Sequence, residues 1–173
     1  NLSFGSAGVG TTPHLTGEMI FKMLGKVDVR HVPFTGAGPA VAALLGGHVP
    51  LVSAALPGVI EHVKAGTIKG LAIATPERRP DLPNVPTVAE TGVGKVEAST
   101  AIPFFFPAKT PRHIVEKFNA DLNAIIRSGA LRTQFAAVGA APMTLDARQA
   151  HDHIAAEMKQ WEAVVKGANI KPE

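Results

Sequence analysis

Two glycine-rich turns carry the residues of this sequence that are best suited to bind a ligand. The first is Gly5-Ser6-Ala7-Gly8-Val9-Gly10-Thr11-Thr12 and the second is Thr35-Gly36-Ala37-Gly38-Pro39, and each precedes a predicted helix. The first N–H groups of a helix lack acceptors, and the summed peptide dipoles favour an anion there. Further donors are the hydroxyl groups of Ser6, Thr11, Thr12 and Thr35. The pattern of two such turns is consistent with a site for a small carboxylate, although either turn alone is more typical of an ordinary capped turn.

The elements around the turns place them side by side. Leu2–Gly5 and Val27–Phe34 are predicted strands, each followed by one of the turns and then by a helix. Thr11 or Thr12 is the expected N-cap of the first helix, with Pro13 in its first turn. Successive strands of a parallel sheet end at the same edge, where α/β proteins bind ligands. The two turns should therefore share one ligand-binding edge.

The rest of the first hundred residues continues the alternation of strand and helix that is typical of an α/β domain. The predicted elements are a short helix over Pro39–Leu45, a strand at His48–Ser53, a helix at Leu56–Ala65 ended by Gly66, and a buried strand at Thr67–Thr75. The proline-rich segment Pro76–Gly92 is predicted to be a surface connection.

Beyond residue 100 the composition becomes mostly helical. The predicted elements are an extended Val96–Phe106, a helix capped by Thr110 with Pro111 at its first position, a short helix at Ala130–Val138, a strand near Met143 and a long C-terminal helix. A capping box of Asp146 and Gln149 opens the long helix. The predicted inner faces of the two long helices consist of Ile114, Val115, Phe118, Leu122, Ile125 and Ile126, and of Ala150, Ile154, Met158, Trp161 and Val165.

Other kinds of site fit the sequence less well. A dinucleotide fingerprint would need a glycine where Val41 stands, and the first turn lacks the lysine of a P-loop. Neither Ser6 nor Ser53 lies in a nucleophile elbow. His151 and His153 should point apart on their helix, so we expect no metal site and no cofactor. His14, beside the first turn, could meet a ligand or be structural, and an α/β enzyme that holds a carboxylate substrate on the same turns stays the alternative.

Charge and composition narrow the partners. The formal charge is +3, and the 17 Lys and Arg residues are scattered, so no nucleic-acid partner is expected. Cysteine is absent, which excludes disulfides and thiolate chemistry. No apolar run reaches membrane-spanning length. The start, Asn1-Leu2-Ser3-Phe4, is typical of a strand rather than a signal peptide, as in a mature or truncated chain.

An ordered series of motifs resembles the Bug (TctC-like) solute-binding proteins of tripartite tricarboxylate transporters. The series runs through Phe4–Leu15, His31-Val32-Pro33-Phe34-Thr35-Gly36-Ala37-Gly38-Pro39-Ala40, Leu44–Val49, Ile60–Gly66, Leu71–Thr75, Leu82–Gly92, Pro107–Pro111, Val138-Gly139-Ala140 and the Trp161 helix. It spans nearly the whole chain, and is far more specific than one glycine turn.

The resemblance implies a periplasmic receptor of the type II, Venus flytrap kind, with two α/β domains around a cleft that binds dicarboxylates or aromatic acids. Residues 1–100 would be most of domain 2, and 101–173 the returning C-terminal part of domain 1. Membrane transporter subunits or a sensor would be partners. The cleft residues it implies are Ser6, Ala7, Gly8, Gly10, Thr11, Thr12, Thr35, Gly36, Ala37, Gly38 and Pro39, with Ser53 and His14 as further candidates.

Two departures from the family pattern matter. Family members commonly carry tyrosine where Phe34 stands, so a hydroxyl contact is lost. The chain also starts partway into the pattern, so we expect an incomplete receptor. The apolar faces of the helices at 111–126 and 150–165 would then be exposed, or packed on a partner copy.

Overall fold

The computed structural model describes residues 2–170 of the chain. Asn1, which falls in the first predicted strand segment, and residues 171–173, at the end of the second predicted domain, lie outside the described residues. The chain forms two compact units. One comprises Asn1–Thr100 together with Trp161–Glu173, and the other comprises Ala101–Gln160. The predicted division into 1–100 and 101–173 stays a prediction.

The first unit is built on a parallel three-stranded sheet with strand order β2-β1-β3. Its strands are β1 (Ser3–Ser6), β2 (Arg30–Pro33) and β3 (Leu51–Val52). In the register of the central strand, Ser6 lies opposite Pro33 on one side, and Gly5 lies opposite Val52 on the other. The predicted α/β fold with a parallel sheet is confirmed.

Helices connect the strands in the predicted order. They are α1 (Thr12–Glu18), which continues as a π-helix over Met19–Leu24, α2 (Ala37–Leu45), a 3₁₀ turn at Leu56–Gly58, α3 (Ile60–Lys64) and a 3₁₀ turn at Ala89–Thr91. Thr11 is the N-cap of α1, where its side chain accepts a hydrogen bond from the N–H of His14. Gly66 follows α3 with a φ of +73°, a conformation that glycine adopts without strain.

The core of the first unit has two centres. Phe4 of β1 is fully buried, and α1 approaches it so closely that a Cβ on Gly17 would lie 2.3 Å from Phe4 Cε2. Ile60 packs in a separate cluster with Leu82 and Val85. The glycine therefore sets the distance between α1 and the sheet.

The second unit is helical, with α4 (Arg112–Ser128), α5 (Arg132–Ala137) and the first part of α6 (Ala147–Gly167). The predicted capping box is confirmed, because Asp146 N donates to Gln149 Oε1 and Gln149 N donates to Asp146 Oδ1. The amide of Asn123, a buried residue of α4, donates to the carbonyl of Leu145 over 2.8 Å. None of the described helices combines the length and apolar character needed to cross a bilayer.

Several predicted strands are wrong or too long. Thr67–Thr75 is not a strand: it forms one isolated bridge, between Ile73 and Thr87, and Leu71 is 57% exposed. An apolar run becomes a strand only where a neighbouring backbone supplies hydrogen bonds. For the same reason Val96–Phe106 and the segment near Met143 lack regular structure. The strands predicted at Val27–Phe34 and His48–Ser53 shorten to the few residues that pair with β1.

The start of α4 also differs from prediction. Pro111, not Thr110, occupies the N-cap position of α4, and no side chain caps it. On the predicted inner faces, Ile114, Phe118, Ile125 and Met158 are exposed, the last by 69%. The helical period is as predicted, and the exposure of these side chains agrees with the expectation that the apolar faces at 111–126 and 150–165 are exposed or packed on a partner copy.

Candidate ligand-binding site

The structure brings the two glycine turns together. They follow β1 and β2, which are adjacent and parallel, so both leave the sheet at the same edge. The N–H of Phe34 donates to the carbonyl of Ser6 over 3.0 Å. A Cβ on Gly8 would lie 3.5 Å from the Phe34 carbonyl oxygen. The first turn therefore contacts the residue immediately before the second turn, and both turns lie at one edge of the sheet, as the parallel-strand argument predicted.

Some amides of the first turn are already used. Gly8 N donates to Ser6 Oγ over 3.3 Å, Gly10 N donates to His14 Nδ1 over 3.0 Å, and Thr11 N lies 3.4 Å from the Gly8 carbonyl. By contrast, the N–H groups of Ala7, Val9 and Thr12 make no hydrogen bond to any described residue. The first turn therefore keeps backbone donors available at the start of α1.

The backbone N–H groups of the second turn are less engaged in hydrogen bonds than those of the first. The N–H groups of Gly36, Ala37 and Gly38 bond to no other residue within 2–170, and the last two open α2. Gly36 has a φ of +124° and is the N-cap, a conformation that L side chains rarely adopt. The sequence uses glycine here to present bare backbone at a helix start.

The outer surface of both turns is open. A Cβ added at Gly10 or at Gly38 would meet no heavy atom within 4 Å. Neither turn is plugged by a neighbouring side chain at these positions. Two surface hollows of the described chain lie elsewhere, and neither includes a residue of the turns. One is lined by Pro76, Glu77, Arg78, Thr87, Ala89 and Glu90, the other by Ile126, Leu131, Arg132, Phe135, Ala136, Ala140 and Pro142.

Two of the predicted hydroxyl donors, and the hydroxyl of the further candidate Ser53, are engaged within the protein. Ser6 is fully buried, and its Oγ lies 2.7 Å from His31 Nε2. Thr11 Oγ1 donates to the Gly8 carbonyl over 2.8 Å, and Ser53 Oγ donates to the Pro13 carbonyl over 2.6 Å. These three groups brace the turns.

The hydroxyls of Thr12 and Thr35 bond to no residue in the described part of the chain, and Thr35 is exposed. Ala7 is half-buried in the first turn, while Pro39 is exposed in the second and carries no N–H. The residue types and their placement leave a surface of backbone and threonine donors with no charged side chain within the turns.

A histidine pair lies beneath the first turn, and sequence reasoning found only half of it. His14 is 4% exposed and stacks on His31 with ring centroids 3.8 Å apart and planes 20° from parallel. Burial lowers the pKa of His14. Burial, and then repulsion from a charged His14 and from Lys22, lowers the pKa of His31 to about 4. His31 could have been suspected only by assuming the register that sets it opposite Phe4.

No group of three or more His, Cys, Asp or Glu within the described residues is arranged to hold a metal ion. The two turns offer neutral backbone donors at the starts of α1 and α2, an arrangement that favours an anion.

Comparisons with known proteins find similar sequences and similar structures. The chain is similar to the protein BugT of Bordetella pertussis, with 34% identity over 98% of the chain and 52% of BugT. It is also similar to the structure of R. palustris Rpa4515 with adipate, at 31% identity and a TM-score of 0.89, over 100% of the chain and 57% of that protein. A third similar structure is MatC (Rpa3494) from Rhodopseudomonas palustris with bound malate, at 31% identity and a TM-score of 0.79, over 95% of the chain and 57% of MatC.

The chain spans about half the length of BugT and just over half of each of these two structures. The family model described as the tripartite tricarboxylate transporter family receptor, TctC, matches residues 1–170. With the periplasmic-binding-protein fold shared by these relatives and a family match over nearly its whole length, this chain belongs to the TctC, or Bug, family of solute-binding proteins.

Proposed function

We propose that this chain is the ligand-binding part of an extracytoplasmic receptor that captures a small carboxylate, a dicarboxylate or an aromatic acid, and does not transform it. One observation carries the proposal: two open glycine turns leave the same carboxyl edge of adjacent parallel strands, and the first turn contacts Phe34, the residue immediately before the second turn. An edge of this kind is where α/β folds bind ligands. The adipate and malate bound to Rpa4515 and MatC are dicarboxylates, which supports the same ligand class here.

The donors that would touch the ligand are those left unpaired. A carboxylate needs several convergent donors, and N–H groups at a helix start supply them together with a favourable dipole. The proposed set on the second turn is the N–H groups of Gly36, Ala37 and Gly38 with the Thr35 hydroxyl, beside Pro39. On the first turn it is the N–H groups of Ala7, Val9 and Thr12 with the Thr12 hydroxyl. Hydrogen bonds to an ionised acceptor are shorter and stronger than neutral ones.

The remaining predicted site residues would support the turns through hydrogen bonds within the protein. The hydroxyls of Ser6 and Thr11 donate to the Gly8 carbonyl, and the hydroxyl of Ser53 donates to the Pro13 carbonyl. The N–H groups of Gly8 and Gly10 donate to Ser6 and His14. They fix the direction of the neighbouring free donors. Such preorganisation lowers the cost of ordering the site when the ligand binds.

The wider setting follows from the family and is proposed on the same basis. The receptor would act in the periplasm and deliver its ligand to membrane subunits of a tripartite tricarboxylate-type transporter, or to a sensor. The exposed apolar side chains of α4, such as Ile114, Phe118 and Ile125, would be covered by further receptor structure or by a second copy.

The test is titration calorimetry on the intact gene product with adipate, malate, benzoate and the uncharged diamide of adipic acid. At least one acid is expected to bind, and the diamide is expected not to bind, because it lacks the charge that the helix starts favour. A ligand at a hundred times its Kd should also add about 2.7 kcal/mol to the free energy of unfolding. Equal affinity for acid and diamide, or no binding of any acid, would contradict the proposal.

A further inference from the structure

The histidine pair connects the interior of the first unit to the first turn. His14 belongs to α1 and His31 to β2, and their rings stack at 3.8 Å. Phe4 extends the stack, with its ring centroid 5.0 Å from that of His31 and 6.5 Å from that of His14. These rings lie directly beneath the turn that begins at Ser6.

Each imidazole holds one end of that turn. His14 Nδ1 accepts the N–H of Gly10 over 3.0 Å. His31 Nε2 lies 2.7 Å from Ser6 Oγ, and the same Oγ accepts the N–H of Gly8 over 3.3 Å. Between the two anchors lies the free N–H of Val9, and just beyond them lies that of Thr12, at the start of α1. The histidine pair therefore orients backbone N–H donors of the turn, although neither histidine supplies one of these donors itself.

We propose that His14, which is buried and stacked on His31, positions the first turn for anion binding in its neutral form and releases the turn when it takes up a proton. His14 is a positioning residue in this account and not a ligand contact. The inference rests on the proposed function and adds to it a proton-dependent control of affinity.

The hydrogen bond from Gly10 determines which ring nitrogen of His14 carries the proton. Nδ1 of His14 can accept the Gly10 N–H only when it carries no hydrogen, so the ring proton lies on Nε2, which faces Glu18 Oε1 at 3.7 Å. An added proton would occupy Nδ1 and set two donors against each other at 3.0 Å. The contact that orients the turn would then be lost.

The charges around the pair are few. Glu18 is 2% exposed and forms an ion pair with Lys22 over 2.8 Å. Glu18 favours a charged His14, whereas Lys22 and burial disfavour one. A charge on either ring also repels a charge on the other, because the centroids are only 3.8 Å apart. An anionic ligand would attract a charged His14, but the donor–donor contact acts at closer range and in the opposite direction.

The experiment compares two substitutions in the intact gene product, with adipate as the probe. H14N offers an amide oxygen as an acceptor that does not titrate, whereas H14F keeps a flat ring in the stack and removes the acceptor. At neutral pH, H14F should weaken adipate binding by roughly threefold to tenfold, the loss of one hydrogen bond. H14N should bind within about threefold of the wild type. The matched control is H48Q, which changes an exposed histidine outside the turns.

The pH profile separates positioning from mere packing. Wild-type affinity, divided by that of H14N, should fall as the pH is lowered below neutrality, and protonation of adipate itself cancels in this ratio. By reciprocity, saturating adipate should lower the pKa of His14 followed by ring NMR. An unchanged ratio across the range, or wild-type affinity that rises relative to H14N in acid, would overturn the inference.

A failure of the proposed function can be distinguished from a failure of the inference about His14. If no acid binds at any pH, the receptor proposal fails. The NMR chemical shift of the Gly10 amide then tests the positioning role of His14. If the Gly10 amide shift changes with pH together with the His14 ring, the positioning role is supported. If the Gly10 amide shift does not change when His14 titrates, the positioning role is overturned.

Discussion

Ser53 Oγ donates to the carbonyl oxygen of Pro13 over 2.6 Å, and this bond ties the end of β3 to the first turn of α1. The two residues are forty positions apart in sequence. The N–H of Ser53 also donates to the Gly5 carbonyl over 2.9 Å. A single serine therefore fixes the start of α1 relative to the sheet edge that carries both turns.

Removal of this hydroxyl should loosen the start of α1. We expect S53A to lower the free energy of unfolding by about 1 kcal/mol, the net value of one partly buried hydrogen bond, and to weaken carboxylate binding. Urea denaturation measures the first effect and calorimetry the second. S128A is the matched control: Ser128 Oγ also donates to a carbonyl, that of Ile125, but at an exposed helix end where its loss should cost little. Equal losses in the two variants would contradict the bracing role of Ser53.

A second prediction concerns the contact between α1 and β1. In G17A the new Cβ would lie 2.3 Å from Phe4 Cε2, and the Phe4 ring is fully buried. Because the ring has to move, we expect a loss of roughly 1–3 kcal/mol despite the better helix propensity of alanine. The double variant G17A/F4L should lose less than the sum of the single variants, because the smaller side chain makes room. Additive losses, measured by urea denaturation, would argue against this contact as the cause.

Gly38 offers the opposite case, a glycine whose replacement should affect binding but not folding. It is the second residue of α2, and an added Cβ would meet nothing within 4 Å. G38A should therefore leave the melting temperature unchanged or raise it, since alanine favours a helix by up to about 1 kcal/mol.

If the ligand lies against this backbone, the same methyl group should weaken binding by at least about tenfold, a loss of roughly 1.4 kcal/mol. S128A is again the control, because it places alanine at an exposed helix end outside both turns. An adipate affinity of G38A equal to that of S128A, measured by calorimetry, would remove Gly38 from the site.

Much of the site's framework follows from local sequence rules. Thr11 and Pro13 predict where α1 begins, because a threonine N-cap followed by an early proline is a local signal. The adjacency of the two turns follows from consecutive parallel strands. The capping box of Asp146 and Gln149 was also predictable, since both partners lie within one helical turn.

Features that depend on distant partners were not predictable. Ser6 and Ser53 looked like ligand donors, but their rotamers are chosen by His31 and by the Pro13 carbonyl, which sequence spacing does not reveal. The stack of His14 on His31 joins a helix to a strand seventeen positions away. Likewise Thr67–Thr75 has the composition of a strand, but strand formation depends on a pairing partner rather than on composition.

The last prediction uses the lowered pKa of His31. Its ordinary value is 6.5, and in the folded chain burial and its neighbours lower it to about 4. Between these two values the unfolded chain binds more protons than the folded chain. Stability is therefore fully present above about pH 6.5 and falls as the pH is lowered towards 4. Carboxylates such as Glu90, whose pKa is lowered to about 2 by its hydrogen bond with Arg78, lose their contribution in a more acidic range.

The free energy of unfolding, measured with urea at intervals from pH 5 to 7.5, should therefore decline in acid for the wild type. H31Q should show a shallower decline, because glutamine keeps a polar partner near Ser6 Oγ and cannot titrate. H113Q, which changes an exposed histidine of α4, should keep the wild-type slope. If H31Q and the wild type decline in parallel, His31 is protonated as easily in the folded chain as in the unfolded one. In that case its ring does not occupy the buried stack.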